Sequence, residues 1–251
     1  MRGAWRVHQW QSNRPCLWRS HADHNRLAQL PSGLPALSSL ECLQLSHNSL
    51  RELPGAWRLR QLPALAALHL GHNQLQQLPA GALCGCSGLK LLDLSGNGLC
   101  DAALESAVFA QAPGACGCGC GCGEQPAALQ LRRLAALDVS GNALTHLPGW
   151  LPAGLVALSA GGNAIQEVPA ALCERLAGGC VALQLQGNRL QQLPPAVKLC
   201  SQLQVLALAG NPGLHPDAGE HGCRGLAWAH AWLARQKAAM AAAALRGKGG
   251  G

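Results

Sequence analysis

The residues best equipped for chemistry fall into two groups. Cys116, Cys118, Cys120 and Cys122 alternate with glycine between Gly114 and Gly123, and four such thiolates could hold a soft metal or serve a redox partner. His24, His47 and His72 each precede an asparagine at spacings of 23 and 25 residues, so stacking would set them in a column at about 5 Å intervals. That column could chelate a metal ion. Neither group meets the usual requirements. Structural zinc sites pair cysteines two residues apart, which strict Cys-x-Cys alternation does not supply, and the tract reads as an expanded surface loop. Later units carry Gly96, Gly141, Gly162, Gly187 and Gly210 where the histidines stand, so the column reads as a property of a turn. The Gly-Cys-Gly spacing around Gly117 follows no strand and opens no helix, which removes a dinucleotide loop. No nucleophile, general base or phosphate loop has the context it needs. The expectation is therefore no catalytic residue, no cofactor and no metal.

What orders the chain is asparagine. Asn25, Asn48, Asn73, Asn97, Asn142, Asn163, Asn188 and Asn211 follow one another at gaps of 23, 25, 24, 45, 21, 25 and 23 residues. Around Asn48 the run is Leu40, Leu43, Leu45, Asn48, Leu50, Leu53, Pro54, and around Asn188 it is Cys180, Leu183, Leu185, Asn188, Leu190, Leu193, Pro194. Leucines five and three residues before each Asn alternate with small or polar residues, the period of a strand with one face buried. So short a strand cannot bury enough apolar surface alone, so each coil must stack on its neighbours. Where the backbone leaves the strand it loses ladder partners, and the Asn carboxamide, with two donors and an acceptor, can replace them in its own coil and the next. A Leu-Pro or Val-Pro pair follows at plus five and plus six in five of the six units from Asn48 to Asn188, with the Asn97 unit the exception. Proline there suits an outer corner and not a sheet interior.

These runs are those of the leucine-rich repeat. With Leu-Pro after the ladder Asn, a period near 23, and an ending that places Asn211-Pro212, Pro216, Gly225, Trp232 and Leu233 in order, the chain resembles the intracellular leucine-rich repeat proteins of the Ras-suppressor and Ras-group type over about residues 24–235. The resemblance implies an α/β leucine-rich repeat solenoid, right-handed and curved, with short parallel strands on its concave face, about eight coils and a C-terminal capping helix. It also implies a non-catalytic scaffold that presents a surface to other proteins, often in signal transduction.

Composition sets bounds on partners. Hydrophobic residues make up 49% and aromatic residues 3%, which fits a leucine-packed interior. The formal charge is +7, yet residues 27–224 hold ten Lys or Arg against eleven Asp or Glu, so the repeat array is near neutral and the ends hold the excess. A nucleic-acid reader needs a basic stripe on its working face, and none is legible here. The thirteen cysteines are odd in number, and most outside the Cys-Gly tract sit singly, as Cys16, Cys42, Cys100, Cys173, Cys180, Cys200 and Cys223 do. No paired cysteine cluster closes either end, residues 1–10 have no uninterrupted apolar segment, and no run is long enough to span a bilayer. The expectation is a cytoplasmic protein in a reducing compartment, with a cytoskeletal or ciliary axoneme location as the alternative, and a monomer.

Three stretches break the register. Residues 1–23 carry Trp5, Trp10 and Trp18 with no amphipathic period, and Ser20 and Ala22 stand where strand leucines belong. They read equally as a cap over the first edge strand, a disordered arm, or a start whose preceding repeats are missing. Between Asn97 and Asn142, Asp101 to Ala112 reads as a helix with Ala103, Leu104, Ala107 and Val108 on one face, followed by the Cys-Gly insertion at 113–126. Near the end, Leu226, Ala229, Trp232 and Leu233 fall at helical spacing and form the expected cap, while 236–251 read as a frayed Ala-rich and Gly-rich tail.

The remaining surface is the outward set two and four residues before each Asn. The candidate partner-binding residues there are Gln44, Ser46, His69, Asp93, Ser95, Asp138, Ser140, Ser159, Gln184 and Gln186, with Gly71, Gly161, Ala207 and Ala209 filling the other positions. Stacked repeats commonly bind partners on such a face. It is small and polar, without the aromatic or Arg anchors of tight interfaces. Three functions fit these features: an interaction scaffold, a structural repeat protein or segment of a larger receptor or enzyme, and a metal-handling protein using the Cys-Gly tract and the His column.

Overall fold

The computed structural model describes residues 19–30, 37–53, 62–79, 82–83, 86–108, 131–149, 151–214 and 223–224. The residues of the Cys-Gly tract, of the C-terminal cap helix and of the tail lie outside this set, as do residues 1–18. The chain divides into two units, 1–143 and 144–251.

The first unit carries strands β1 (Arg19–His21), β2 (Cys42–Gln44), β3 (Ala67–His69), β4 (Leu91–Asp93) and β5 (Ala136–Asp138), and helix α1 (Asp101–Val108). Each strand pairs in parallel with the next, in register from Ser20↔Leu43 through Leu43↔Leu68 and Leu68↔Leu92 to Leu92↔Leu137. β1 lies ahead of the first ladder asparagine; Ala22, three residues before Asn25, is buried in place of a leucine. From β2 to β5 the middle residue is buried and its neighbours are half-buried, because a pleated strand of three residues turns only its centre inward.

The core repeats coil by coil. Leu40, Leu65, Leu89 and Leu134 enter each strand, Leu45, Leu70, Leu94 and Val139 leave it, and Leu50, Leu75 and Leu99 follow the turn, all at 4% exposure or less. Fully burying such a side chain contributes about 1.5–3 kcal/mol, so the same stripe, repeated, stabilises every coil against its neighbours. Helix α1 lays Ala103, Leu104 and Ala107 on this core, and the Ala107 carbonyl accepts a hydrogen bond from the Leu83 N–H of the preceding coil at 3.0 Å.

The second unit carries β6 (Ala157–Ser159), helix α2 (Ala170–Leu176), β7 (Ala182–Gln184), a 3-10 helix (Pro195–Leu199), β8 (Val205–Ala207) and β9 (Cys223–Arg224). β6, β7 and β8 run parallel with Leu158, Leu183 and Leu206 in register. β9 runs antiparallel to β8, pairing Leu206 with Arg224, so the outer edge of β8 is covered by backbone. Opposite the strands, α2 buries Leu172, Cys173 and Leu176, and the 3-10 helix buries Val197. No side chain caps α2, whose N-cap position is Pro169. Arg175 instead donates to the carbonyls of Gly149 and Leu151, tying the helix to the preceding coil. Neither helical turn of this unit is read from the sequence, where only the Val168-Pro169 and Leu193-Pro194 corners stand out.

Candidate functional site

The outward strand face is held in place by the turns behind it, and each turn is organised by its asparagine. The Nδ2 group of Asn73 donates to the Leu70 carbonyl in its own coil at 2.9 Å and to the Leu45 carbonyl in the preceding coil at 3.0 Å. Its Oδ1 accepts from the Leu50 N–H at 3.1 Å. Asn48, Asn97 and Asn142 repeat this pattern in the first unit, reaching back to Ala22, Leu70 and Leu94. Asn188 and Asn211 repeat it in the second, reaching back to Ala160 and Leu185. Asn163 donates to Ala160 of its own coil and accepts from the Leu144 N–H. Asn25 bonds the Ala22 and Asp23 carbonyls of its own coil. Residues such as Leu50 are thereby satisfied twice, since the Leu50 carbonyl also accepts from the Gln74 N–H at 2.8 Å.

The residue before each asparagine adopts a left-handed backbone. His24, His47 and His72 have φ of 54°, 55° and 53°, and Gly96, Gly141, Gly162, Gly187 and Gly210 lie between 58° and 71°. In this conformation the residue's N–H reaches the carbonyl two residues before the next asparagine, as His47 reaches Gly71 and Gly96 reaches Ser140. Glycine meets this demand without strain, whereas a side chain costs about 1–2 kcal/mol. The three histidines offset part of that cost by stacking, with ring centroids 4.2 and 4.4 Å apart and planes within 11° of parallel. Stacked rings direct their in-plane nitrogens side by side and not at a common point, so this packing forms no chelate. Among the described residues no group of three or more His, Cys, Asp or Glu is placed to hold a metal.

The strand face itself differs between the units. In the first, β4 and β5 carry the same Asp-x-Ser device: Asp93 Oδ1 accepts from the Ser95 hydroxyl at 2.6 Å and its N–H at 2.9 Å, and Asp138 does the same with Ser140. The two aspartates are in register on adjacent strands. Asp93 Oδ2 lies 3.8 Å from His69 Nδ1, and a Cβ on Gly71 would stand 2.7 Å from both Asp93 Oδ2 and Ser95 Oγ. Glycine at 71 thus gives the Asp93 and Ser95 side chains room to lie across the backbone of the preceding coil, which leaves Ser95 largely covered at 9% exposure. Ser, His and Asp meet here, and the Ser95 hydroxyl donates to the carboxylate and not to the imidazole. What the patch offers is hydrogen-bond acceptors. Gln44 and Ser46 stand half-buried on β2 and the turn beyond it.

In the second unit the face is made of amides. Ser159 Oγ donates to Gln184 Oε1 at 3.0 Å, Gln186 is exposed, and a Cβ on Gly161 would meet the Gln186 amide at 2.7 Å. Ala207 is buried and Ala209 half-buried, so this face thins out toward β8. The structure brings His69, Asp93, Ser95, Asp138 and Ser140 together on one patch and Ser159, Gln184 and Gln186 on another.

A buried strand centre, an asparagine shared between coils and a left-handed residue before it recur in both units, and residues 55–99 match the family described as "Leucine rich repeat". The protein carries leucine-rich repeats. Curated relatives that it matches are the geranylgeranyl transferase type-2 α subunits of Homo sapiens and Pongo abelii, 47% and 46% identical over 85 residues, or 33% of this chain. The chain spans 15% of the length of those relatives. Among solved structures it is similar to YopM from Yersinia enterocolitica, with a TM-score of 0.50 and 26% identity over 77% of this chain and 33% of that one. The leucine-rich repeat domain of APL1B gives 0.53 at 22% identity over 75% and 48%, and a chain from an assembly of Latrophilin 3, Unc5D and the FLRT2 leucine-rich repeats gives 0.54 at 20% over 77% and 53%. Leucine-rich repeat domains are in general protein-interaction modules. Among the described residues no helix is long and apolar enough to cross a membrane.

Proposed function

We propose that this leucine-rich repeat protein is a non-catalytic scaffold that binds other proteins on its outward strand face. The reading extends to a monomer working in the cytoplasm, in signalling of the kind associated with Ras-suppressor-type repeats, with neither nucleic acid nor cofactor as ligand. The observation that carries it is the Asp93, Ser95, Asp138 and Ser140 patch. Each carboxylate is pre-oriented by its own serine and spends no side-chain freedom on binding. A face built from fixed acceptors suits a partner that brings hydrogen-bond donors across several strands. The near-neutral charge of residues 27–224 supports protein over nucleic acid as that partner.

Introducing lysine at Gln44, Asp138 and Gln184 together tests it. Proteins retained by the wild-type chain should lose at least about thirtyfold in affinity, equivalent to about 2 kcal/mol. The same number of lysines at the exposed Gln76, Gln191 and Gln192 should leave binding unchanged. Equal retention by both variants excludes the strand face.

A second reading rests on the match to the geranylgeranyl transferase type-2 α subunits: the chain is a segment of, or an accessory to, a larger enzyme assembly. Assaying geranylgeranyl transfer in assemblies purified through this chain decides it, and absence of transfer removes this reading.

A further inference from the structure

Of the asparagines in the chain, only Asn97 is followed by glycine. Such a pair closes on itself more readily than any other, because glycine has no Cβ to keep its backbone nitrogen away from the preceding carboxamide. The fold does not demand glycine there. Gly98 is not left-handed, and a Cβ on it would meet Gln76 Cγ at 3.4 Å and the Leu75 carbonyl oxygen at 3.6 Å, which are ordinary contacts. Ser49, Gln74, Ala143, Ala164 and Arg189 hold the same place after other ladder asparagines.

Both groups that would react are held by one residue of the preceding coil. The Leu75 N–H donates to Asn97 Oδ1 at 3.0 Å, and the Leu75 carbonyl accepts from the Gly98 N–H at 2.8 Å. Asn97 Nδ2 donates to the carbonyls of Leu70, Leu94 and Ser95, each at 3.1 Å. Solvent is within reach, since Gly98 is exposed and Asn97 half-buried. What holds the two groups apart is the hydrogen bonding between coils.

We propose that Asn97-Gly98 is a self-modification site, silent while its coil is closed on the one before it and converted to aspartate or isoaspartate when that coil opens. The reactant is water. Opening releases the Gly98 N–H from the Leu75 carbonyl, as it does for hydrogen exchange, and hydroxide can then remove its proton. The same opening frees the Asn97 carboxamide to turn toward that nitrogen.

The steps balance. The Gly98 nitrogen attacks Asn97 Cγ, the new N–Cγ bond forms, the Cγ–Nδ2 bond breaks, and a five-membered succinimide results. The leaving nitrogen takes a proton from water and departs as ammonia, which returns the hydroxide. Water then adds to one of the two ring carbonyls. Cleavage at Cγ gives aspartate, and cleavage at the main-chain carbonyl carbon gives isoaspartate, whose backbone is one carbon longer. One water is consumed, one ammonia is released and no electron is transferred. A carboxylate there has no donors for the Leu70, Leu94 and Ser95 carbonyls, so the coil does not close as before. An opening is thereby recorded in covalent form.

Incubating the full chain at mildly alkaline pH, with and without urea, and mapping its peptides by mass at intervals is the test. Asn97 should convert from amide to acid at least about tenfold faster in urea, a factor equal to about 1.4 kcal/mol of opening free energy. In urea Asn48, which precedes serine, should convert more slowly than Asn97. Gly98→Ala should slow conversion of Asn97 in urea and leave the circular dichroism of the folded chain unchanged. Once urea is removed, converted chains should refold with a lower urea midpoint than unconverted ones. The proposal is overturned if Asn97 converts equally fast with and without urea, if it is no faster than Asn48 in urea, or if converted chains refold with an unaltered midpoint. The wild-type chain decides the matter even where the variant fails to fold.

Discussion

A carboxamide has two donors and one acceptor oxygen, and at Asn73 all three meet backbone groups of two successive coils. Asn73→Ala should lower stability by about 1–3 kcal/mol in urea unfolding, the cost of leaving buried amide groups unpaired. Asn73→Asp should cost at least as much despite its matching shape, because a carboxylate would face the carbonyls of Leu45 and Leu70 in place of two N–H donors. The residue before the asparagine carries a different demand. A Cβ on Gly96 would lie 2.5 Å from His72 Nδ1, on a backbone with φ of 58°. Gly96→Ala should therefore cost about 1–2 kcal/mol from the backbone alone, and the collision adds to that. In a double-mutant cycle His72→Gly should remove the collision and leave the backbone cost, and additivity of the two changes would refute the contact. The role of asparagine is legible from donor counting. The positive φ shared by the histidines and glycines is not, because residue type alone does not reveal that one backbone shape unites them.

The three-residue strands β2 to β7 have one buried centre each, so an element here is stable only through its neighbours. Leu68→Ala in β3 should cost about 2–5 kcal/mol. Hydrogen exchange should then rise first at amides of β2 and β4, the strands paired with it, and last in the coils beyond. Uniform loss of protection across the chain would contradict nearest-neighbour stability. The strands were legible because leucines at minus five and minus three mark both their place and their inward face. Helix α1 was legible from its apolar spacing, and the structure describes it over Asp101–Val108. Helix α2 was not, because Leu172, Cys173 and Leu176 cover less than two turns and follow a proline that reads as a corner. The Arg175 bonds to Gly149 and Leu151 were hidden for another reason: they join residues 26 and 24 positions apart, which no local pattern connects.

On the scale of the molecule, the two units share one repeating rule and differ in what they show to solvent. Carboxylates braced by serines face outward in the first, and amides followed by alanines in the second. The candidate residues were legible as an outward set because strand alternation assigns them a face. Their internal pairing was not, since Gly71 making room for Asp93 and Ser95 depends on register between coils. We propose that this face is where the protein holds its partners. The most direct measurement places a photo-cross-linking residue in turn at Asp138, at Gln184 and at the exposed Gln76 and Gln192, and reads which positions capture a bound protein. Capture concentrated at Asp138 or Gln184 is the predicted result, and capture confined to Gln76 and Gln192 would contradict it.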